Sequence, residues 1–401
     1  MRVTSYPDNH WRMQVEIPFS MGVMDHGLFM LCGQADLKGK GEVQHAHDLY
    51  AQTQASLRHI LNIVEDLDCS MSDLAKLVIY YVNNGETDEL TYIEFIAEAL
   101  EFSPLPAITM VPLKHFFYPG LMVEIDAFGF VGPKNNRVVI PSSVHPFSQA
   151  VKQNGFTLSG AVRALDSNGR ALDPGDAVAQ SYLVQEKIDA LLQQINARRE
   201  DIVKVNNWFV GVDNTEIWSQ SAKVRADWYP EPGPVATGMP LHAMQPKGAM
   251  IQTEFWTMQD QHDASLEKKY SWPDGHWDWP IHLPFKHGVQ CGGFIFVGGQ
   301  VSMDSAARIL DPDDMPKQTI TSMENLRAVL SEFGADFEDI IKMNCFYQGG
   351  GQPEELHCNL EIRAGYFKRP GPASTGIPLN NLCYPGMVTE FEAIATIPRT
   401  T

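Results

Sequence analysis

A chain of 401 residues with 44% hydrophobic and 20% charged side chains has the composition of a soluble globular protein. At about 150 residues per domain it has room for two or three domains. Its formal charge of −19, with no Lys/Arg-rich run to offset it, repels phosphate backbones and anionic lipid heads, so nucleic acid is not an expected partner. No apolar run approaches the roughly 20 residues that cross a bilayer, so a membrane is not one either. Residues 1–8 do not read as a secretion signal. The six cysteines (Cys32, Cys69, Cys291, Cys345, Cys358 and Cys383) show no C-x-x-C spacing, so neither a zinc site nor a disulfide framework is expected. These features together predict a reduced, cytoplasmic protein.

In chain order, the first unit opens at Pro18-Phe19, followed by an apolar strand that ends in glycine, Leu28 to Gly33. Ile60, Ile63, Val64 and Leu67 form the stripe of an amphipathic helix. A middle strand over 77–82, a second helix near 87–101 and two strands flanking Pro119-Gly120 complete the unit, giving the order β-β-α-β-α-β-β. The whole series then recurs. Pro18, Gln52, Lys76, Thr109 and Gly120 reappear at one constant offset as Pro146, Gln180, Lys204, Thr237 and Gly248. They return again, at a second and slightly longer constant offset, as Pro284, Gln318, Lys342, Thr375 and Gly386. The extra length falls in the Trp-rich stretch around Ser271 to Pro280. The predicted organisation is therefore three tandem repeats, 1–135, 136–258 and 284–401, with a Trp-rich linker over 259–283. Two helices cover only one face of each sheet. The other faces are expected to pack together as an intramolecular pseudo-trimer of α+β units, sheets inward and helices outward.

Pro146-Phe147-Ser148-Gln149-Ala150-Val151 through Leu158-Ser159-Gly160 resembles the opening signature of the RidA/YjgF family. Asp73-Leu74-Ala75-Lys76, Pro372-Ala373 and Val388 to Ala395 resemble its later elements. The resemblance covers nearly the whole chain. It implies a chorismate-mutase-like fold with a pocket at each interface between units, and hydrolysis of reactive enamines or imines to a carbonyl and ammonia. It also implies a strand arginine that grips the substrate carboxylate and a last-strand glutamate that positions water. Ile108, Ala236 and Ser374 stand where that arginine belongs, which argues against 2-imino acids as substrates. The glutamate aligns with Glu124, Gln252 and Glu390. Since Gln252 cannot exchange a proton, one of the three sites is expected to be inactive.

The remaining candidates are weighed singly. Thr109, Thr237 and Thr375 are expected either to hold a substrate carbonyl or water, or simply to suit a strand. Gly238 and Gly376 beside two of them allow a ligand close to backbone. His242 and Asn380 share a loop position at the expected pocket rim, where His242 is a candidate acid and a solvated histidine is the commoner case. Phe19, Phe147 and Phe285 open the three units as candidate substrate contacts. Arg225 and Arg363 share a place on the second helix. They are expected to bind an anion in place of the strand arginine or, more commonly, to pair at the surface with acids such as Asp227 or Glu361. Lys76, Lys204 and Lys342 bring to mind the three-unit cyclic amidohydrolases, but no serine recurs with them and they read as surface lysines. No H-x-x-x-H pair, P-loop or GxGxxG fingerprint is present, so no metal or organic cofactor is implied. The expected function is cofactor-independent hydrolysis of a C–N bond in a small enamine, imine or amide-bearing ring metabolite. Ring-opening amidohydrolysis and noncatalytic metabolite binding are the alternatives. The family's older ribonuclease label sits poorly with the charge of −19.

Overall fold

The computed structural model describes residues 2–211 and 215–398. Each repeat is a small antiparallel sheet with one parallel pair, backed by two helices. In the first repeat the hairpin Gly22–Asp25 and Leu28–Leu31 leads to the last strand Val123–Phe130. Next come the middle strand Leu74–Val82 and, parallel to it, the penultimate strand Ala107–Leu113. Repeats two and three order their strands in the same way. The helices are α1 (Leu49–Asp66), α2 (Glu89–Leu100), α3 (Ala177–Gln194), α4 (Thr215–Trp228), α5 (Met315–Ser331) and α6 (Pro353–Ala364). Asp48, Asp88, Asp176 and Asp314 cap four of them by accepting from first-turn amides. The stripe predicted from Ile60, Ile63 and Val64 is buried, as are Ile188, Leu191, Leu192, Leu326, Val329 and Leu330 in the sister helices.

Two of the recurring sequence anchors meet in space. The amide of Gln52, fully buried in α1, donates to Gly120 O at 2.7 Å and accepts from Met122 N at 2.7 Å. Gln180 and Gln318 make the same pair of bonds, to Gly248 O and Met250 N and to Gly386 O and Val388 N. One side chain thus pins the first helix of each repeat to its final turn, satisfying backbone groups that no strand reaches.

The repeats join edge to edge in a closed series. Ser148 bridges Ala107, Ser20 bridges Ala373, and Lys286 N donates to Pro234 O. The inner sheet faces carry a matching ring of ion pairs: Lys76 with Glu254, Lys204 with Glu392 and Lys342 with Asp126, each at 2.8 Å. Every pair links two different repeats. The three lysines are buried, which corrects the surface reading. An ammonium inside a protein persists only when it is paired and fully hydrogen-bonded. The segment 259–283 is also more than a linker. Its strand Lys268–Ser271 pairs with Gly288–Cys291, just as Val3–Ser5 pairs with Gly22–Asp25 in the first repeat.

Candidate functional site

Two of the three boundaries between repeats enclose a cavity of about 40 Å³. At the first, Glu124 on the last strand of repeat one and Arg363 on α6 of repeat three line the same space, with Phe19 and Gly376. At the second, Glu390 on the last strand of repeat three and Arg225 on α4 of repeat two do so, with Phe285 and Gly238. The equivalence is positional, since Glu124 lies as far along the chain from Glu390 as Phe19 does from Phe285. Both arginines are buried, which overturns the reading of them as surface residues paired with Asp227 or Glu361. Arg363 Nη1 donates to Ser374 Oγ at 2.8 Å, and Ala236 lines the cavity beside Arg225. Ser374 and Ala236 occupy the slot of the missing strand arginine. In both cavities a guanidinium therefore arrives from the neighbouring repeat's helix, at the place the strand leaves vacant.

The electrostatics follow from burial. Glu390 has its pKa raised to about 8, first by desolvation and then by the charge of Glu392. Glu124 is pushed well above the carboxylate range by desolvation and then by Asp126, against the pull of Lys342 and Arg363. Desolvation lowers Arg225 to about 10, so it stays charged at neutral pH, and it shifts Arg363 downward too. Arg225 Nε and Nη1, Arg363 Nε and Glu124 Oε2 are buried with no hydrogen-bond partner among the described residues. A buried donor left unmade costs about 1–3 kcal/mol, more when it is charged, so such groups call for a ligand. Each glutamate lies hard against a glycine of its own repeat. A Cβ at Gly33 would stand 2.1 Å from Glu124 Oε1, and one at Gly299 would stand 1.9 Å from Glu390 Oε1.

The third boundary lacks the acid, the guanidinium and both glycines. Ala161 stands at the glycine position, Gln252 at the glutamate, Ala97 at the arginine and Met110 at the position of Gly238 and Gly376. Gln252 Nε2 donates to Met110 O at 2.8 Å, and Phe147, the third of the opening phenylalanines, is fully buried.

The other expected residues fall outside the paired acid and guanidinium. Thr109, Thr237 and Thr375 donate to Glu254, Glu392 and Asp126, each at 2.6 Å, and so belong to the ion-pair ring. Only Thr237 also lines a cavity, that of Glu390. His242 Nε2 lies 3.3 Å from Asn83 O, where desolvation lowers its pKa, and neither it nor Asn380 lines either cavity. Among the described residues no group of three or more His, Cys, Asp or Glu side chains could hold a metal, and no helix is long and apolar enough to cross a membrane.

Sequence reasoning missed a set that recurs twice rather than three times. His10-Trp11 and His276-Trp277 keep the same spacing as the two glutamates, and the second repeat has Val138-Val139 instead. Trp11 and Trp277 line the two cavities. His10 Nε2 lies 2.9 Å from Gln34 Oε1, and His276 Nε2 lies 2.8 Å from Gln300 Oε1. The two glutamines directly follow Gly33 and Gly299, and they donate in turn to nearby backbone, Gln34 to Cys32 O and Gln300 to Gly298 O and Gly299 O. The signal was the His-Trp pair inside the supposed linker.

Comparison with known proteins agrees with the repeat structure. A family model described as endoribonuclease L-PSP matches residues 10–131, 138–254 and 280–397. A RutC family protein of Pyrococcus abyssi is 29% identical over 112 residues, covering 28% of this chain and 85% of that protein. A 2-iminobutanoate/2-iminopropanoate deaminase of Dermatophagoides farinae is 23% identical over 114 residues, 28% of this chain and 86% of its own length. Among solved structures, a chorismatase shares the fold across 81% of this chain and 93% of its own, with a TM-score of 0.55 at 13% identity.

Proposed function

The chain belongs to the endoribonuclease L-PSP family in each of its three repeats, and from that premise we propose that it is a hydrolase of small, carboxylate-bearing enamines or imines, acting at two of its three boundaries. One observation carries the reading: a buried glutamate that holds its proton at neutral pH shares a small cavity with a buried guanidinium that has unpaired N–H groups. The guanidinium restores the carboxylate grip that the strand positions lack, so 2-imino acids return as substrates.

In the proposed reaction the arginine holds the substrate carboxylate. The glutamic acid gives its proton to the enamine carbon or the imine nitrogen, making an iminium carbon that water attacks. The resulting glutamate takes a proton from that water. It then returns that proton to the nitrogen and takes up the hydroxyl proton as the C–N bond breaks, leaving a 2-oxo acid and ammonia with the acid restored. The small, largely apolar cavity strengthens each charge interaction. The ion-pair ring does not enter the chemistry, because its lysines are engaged with carboxylates and threonine hydroxyls.

Ammonia release from 2-imino acids generated in situ tests the proposal, with neutral enamines and cyclic imides as controls. Glu390→Gln and Glu124→Gln are each expected to cost about 10²–10⁴-fold at their own cavity. The double variant should fall to the uncatalysed rate. Ammonia at no more than that rate from the unmodified chain, across the whole panel, would refute the hydrolase.

A further inference from the structure

The two cavities share an acid, a guanidinium, a glycine and a tryptophan, but not their walls. Where the Glu124 cavity has Met13, Leu356 and Phe117, the Glu390 cavity has Trp279, Trp218 and Cys383. Trp218 meets Tyr384 edge-on at 5.4 Å between ring centroids, and Trp277 meets Trp279 at 4.7 Å, so the second cavity is walled by aromatic faces. Their polar fittings differ as well. Tyr384 Oη, on the wall of the Glu390 cavity, is buried and has no partner, whereas the equivalent Tyr118 Oη lies 3.1 Å from His357 Nε2. Conversely, Trp11 Nε1 in the Glu124 cavity is buried and unpaired, while Trp277 Nε1 donates to Gln300 at 3.2 Å.

We propose that the two cavities are sites for two substrate classes. The Glu390 cavity takes a carboxylate-bearing imine or enamine whose side chain is a flat conjugated ring with a polar substituent. The Glu124 cavity takes one with a short, flexible aliphatic side chain. The assignment of substrates rests on the hydrolase reading above. Rings recognise rings through offset and edge-to-face contacts, for which the indoles of Trp218 and Trp279 supply rigid surfaces. Methionine and leucine walls adapt instead to unbranched chains. A buried hydroxyl without a partner selects for a ligand that provides one, because the unsubstituted analogue leaves it unmade. At about 40 Å³ either cavity admits water but not a ring. The walls must therefore part to admit either ligand, and Met13 and Trp279 are partly exposed wall residues.

Calorimetric titration of the whole chain with two product-like acids, 4-hydroxyphenylpyruvate and 2-oxobutanoate, tests this without requiring turnover. The aromatic acid should bind one site, lost in Arg225→Met, weakened at least tenfold in Trp279→Met and kept in Arg363→Met. 2-Oxobutanoate should behave in the opposite way, lost in Arg363→Met and kept in Arg225→Met. The reciprocal change Met13→Trp, at a partly exposed position, should add a second site for the aromatic acid. Equal loss of both acids in both arginine variants, or no binding of either acid, would overturn the proposal. A binding split by class with no ammonia released from the corresponding imino acids would uphold the two classes and refute the hydrolase.

Discussion

Glu390 is where burial changes chemistry most plainly. With its folded pKa raised from 4.5 to about 8, the folded chain keeps a proton that the unfolded chain gives up. The stability associated with that proton is complete below about 4.5 and is lost as the pH rises toward about 8. Glu390→Gln, which has no proton to lose, should therefore melt at a higher temperature than the parent at pH 8.5 and much closer to it at pH 5. Scanning calorimetry at the two values checks this, and equal differences at both would show that the carboxyl titrates normally. Turnover at that cavity should likewise decline above about pH 8, as the acid form disappears. The sequence placed Glu124 and Glu390 as candidates because they keep a strand register. It offered the arginines both as anion binders and as surface residues and could not choose, because a helical arginine with acids nearby looks the same whether it faces solvent or the neighbouring repeat.

At the scale of elements, the cavities depend on strands and helices from different repeats meeting with one atom to spare. The last strand carries the glutamate, the second helix of the adjoining repeat, the preceding one in cyclic order, carries the arginine, and a glycine after the opening hairpin leaves room for the carboxylate. Gly33→Ala would push a methyl into Glu124, so activity at that cavity should fall by about 10²-fold or more while the Glu390 cavity is untouched. Separate assays of Glu390→Gln and Gly33→Ala, alone and combined, check this. A combined variant no worse than Glu390→Gln would show that the glycine is incidental. The elements themselves were legible, because their apolar periods are strong and their turns are marked by Pro-Gly pairs. The strand at Lys268–Ser271 was not legible, since four residues beside a tryptophan-rich stretch carry no period of their own. Its register is supplied by Gly288–Cys291, across a chain reversal.

Across the whole molecule, most of what recurs three times builds the frame, and the acid, the guanidinium and the His-Trp pair that mark the pockets recur twice. Gln52, Gly120, Lys76 and Thr109, with their two sets of counterparts, all end in pins or in the ion-pair ring. The residues that break the threefold pattern (Gln252, Ala161, Ala97 and Met110) separate the closed boundary from the open ones. Repetition was therefore the clearest feature of the sequence and the least informative about its sites. The ring makes a further demand. Lys342→Met leaves Asp126 buried without its cation and should cost about 3–5 kcal/mol, read from urea unfolding. Lys342→Met with Asp126→Leu should recover much of that loss, and equal costs for the single and double variants would mean that the pair is not coupled.

The same ring constrains synthesis on the ribosome. Lys76 waits for Glu254, and Asp126 waits for Lys342, so a nascent first repeat emerges with both an ammonium and a carboxylate whose partners are still to be translated. It cannot close its inner face alone, and the first two repeats together still lack the third's Lys342. Closing that face before the partners arrive would bury the charges unpaired, at a cost of several kcal/mol. The strand Thr389–Thr396 brings both Glu390 for a pocket and Glu392 for the ion pair with Lys204, so one strand serves the frame and the second site at once.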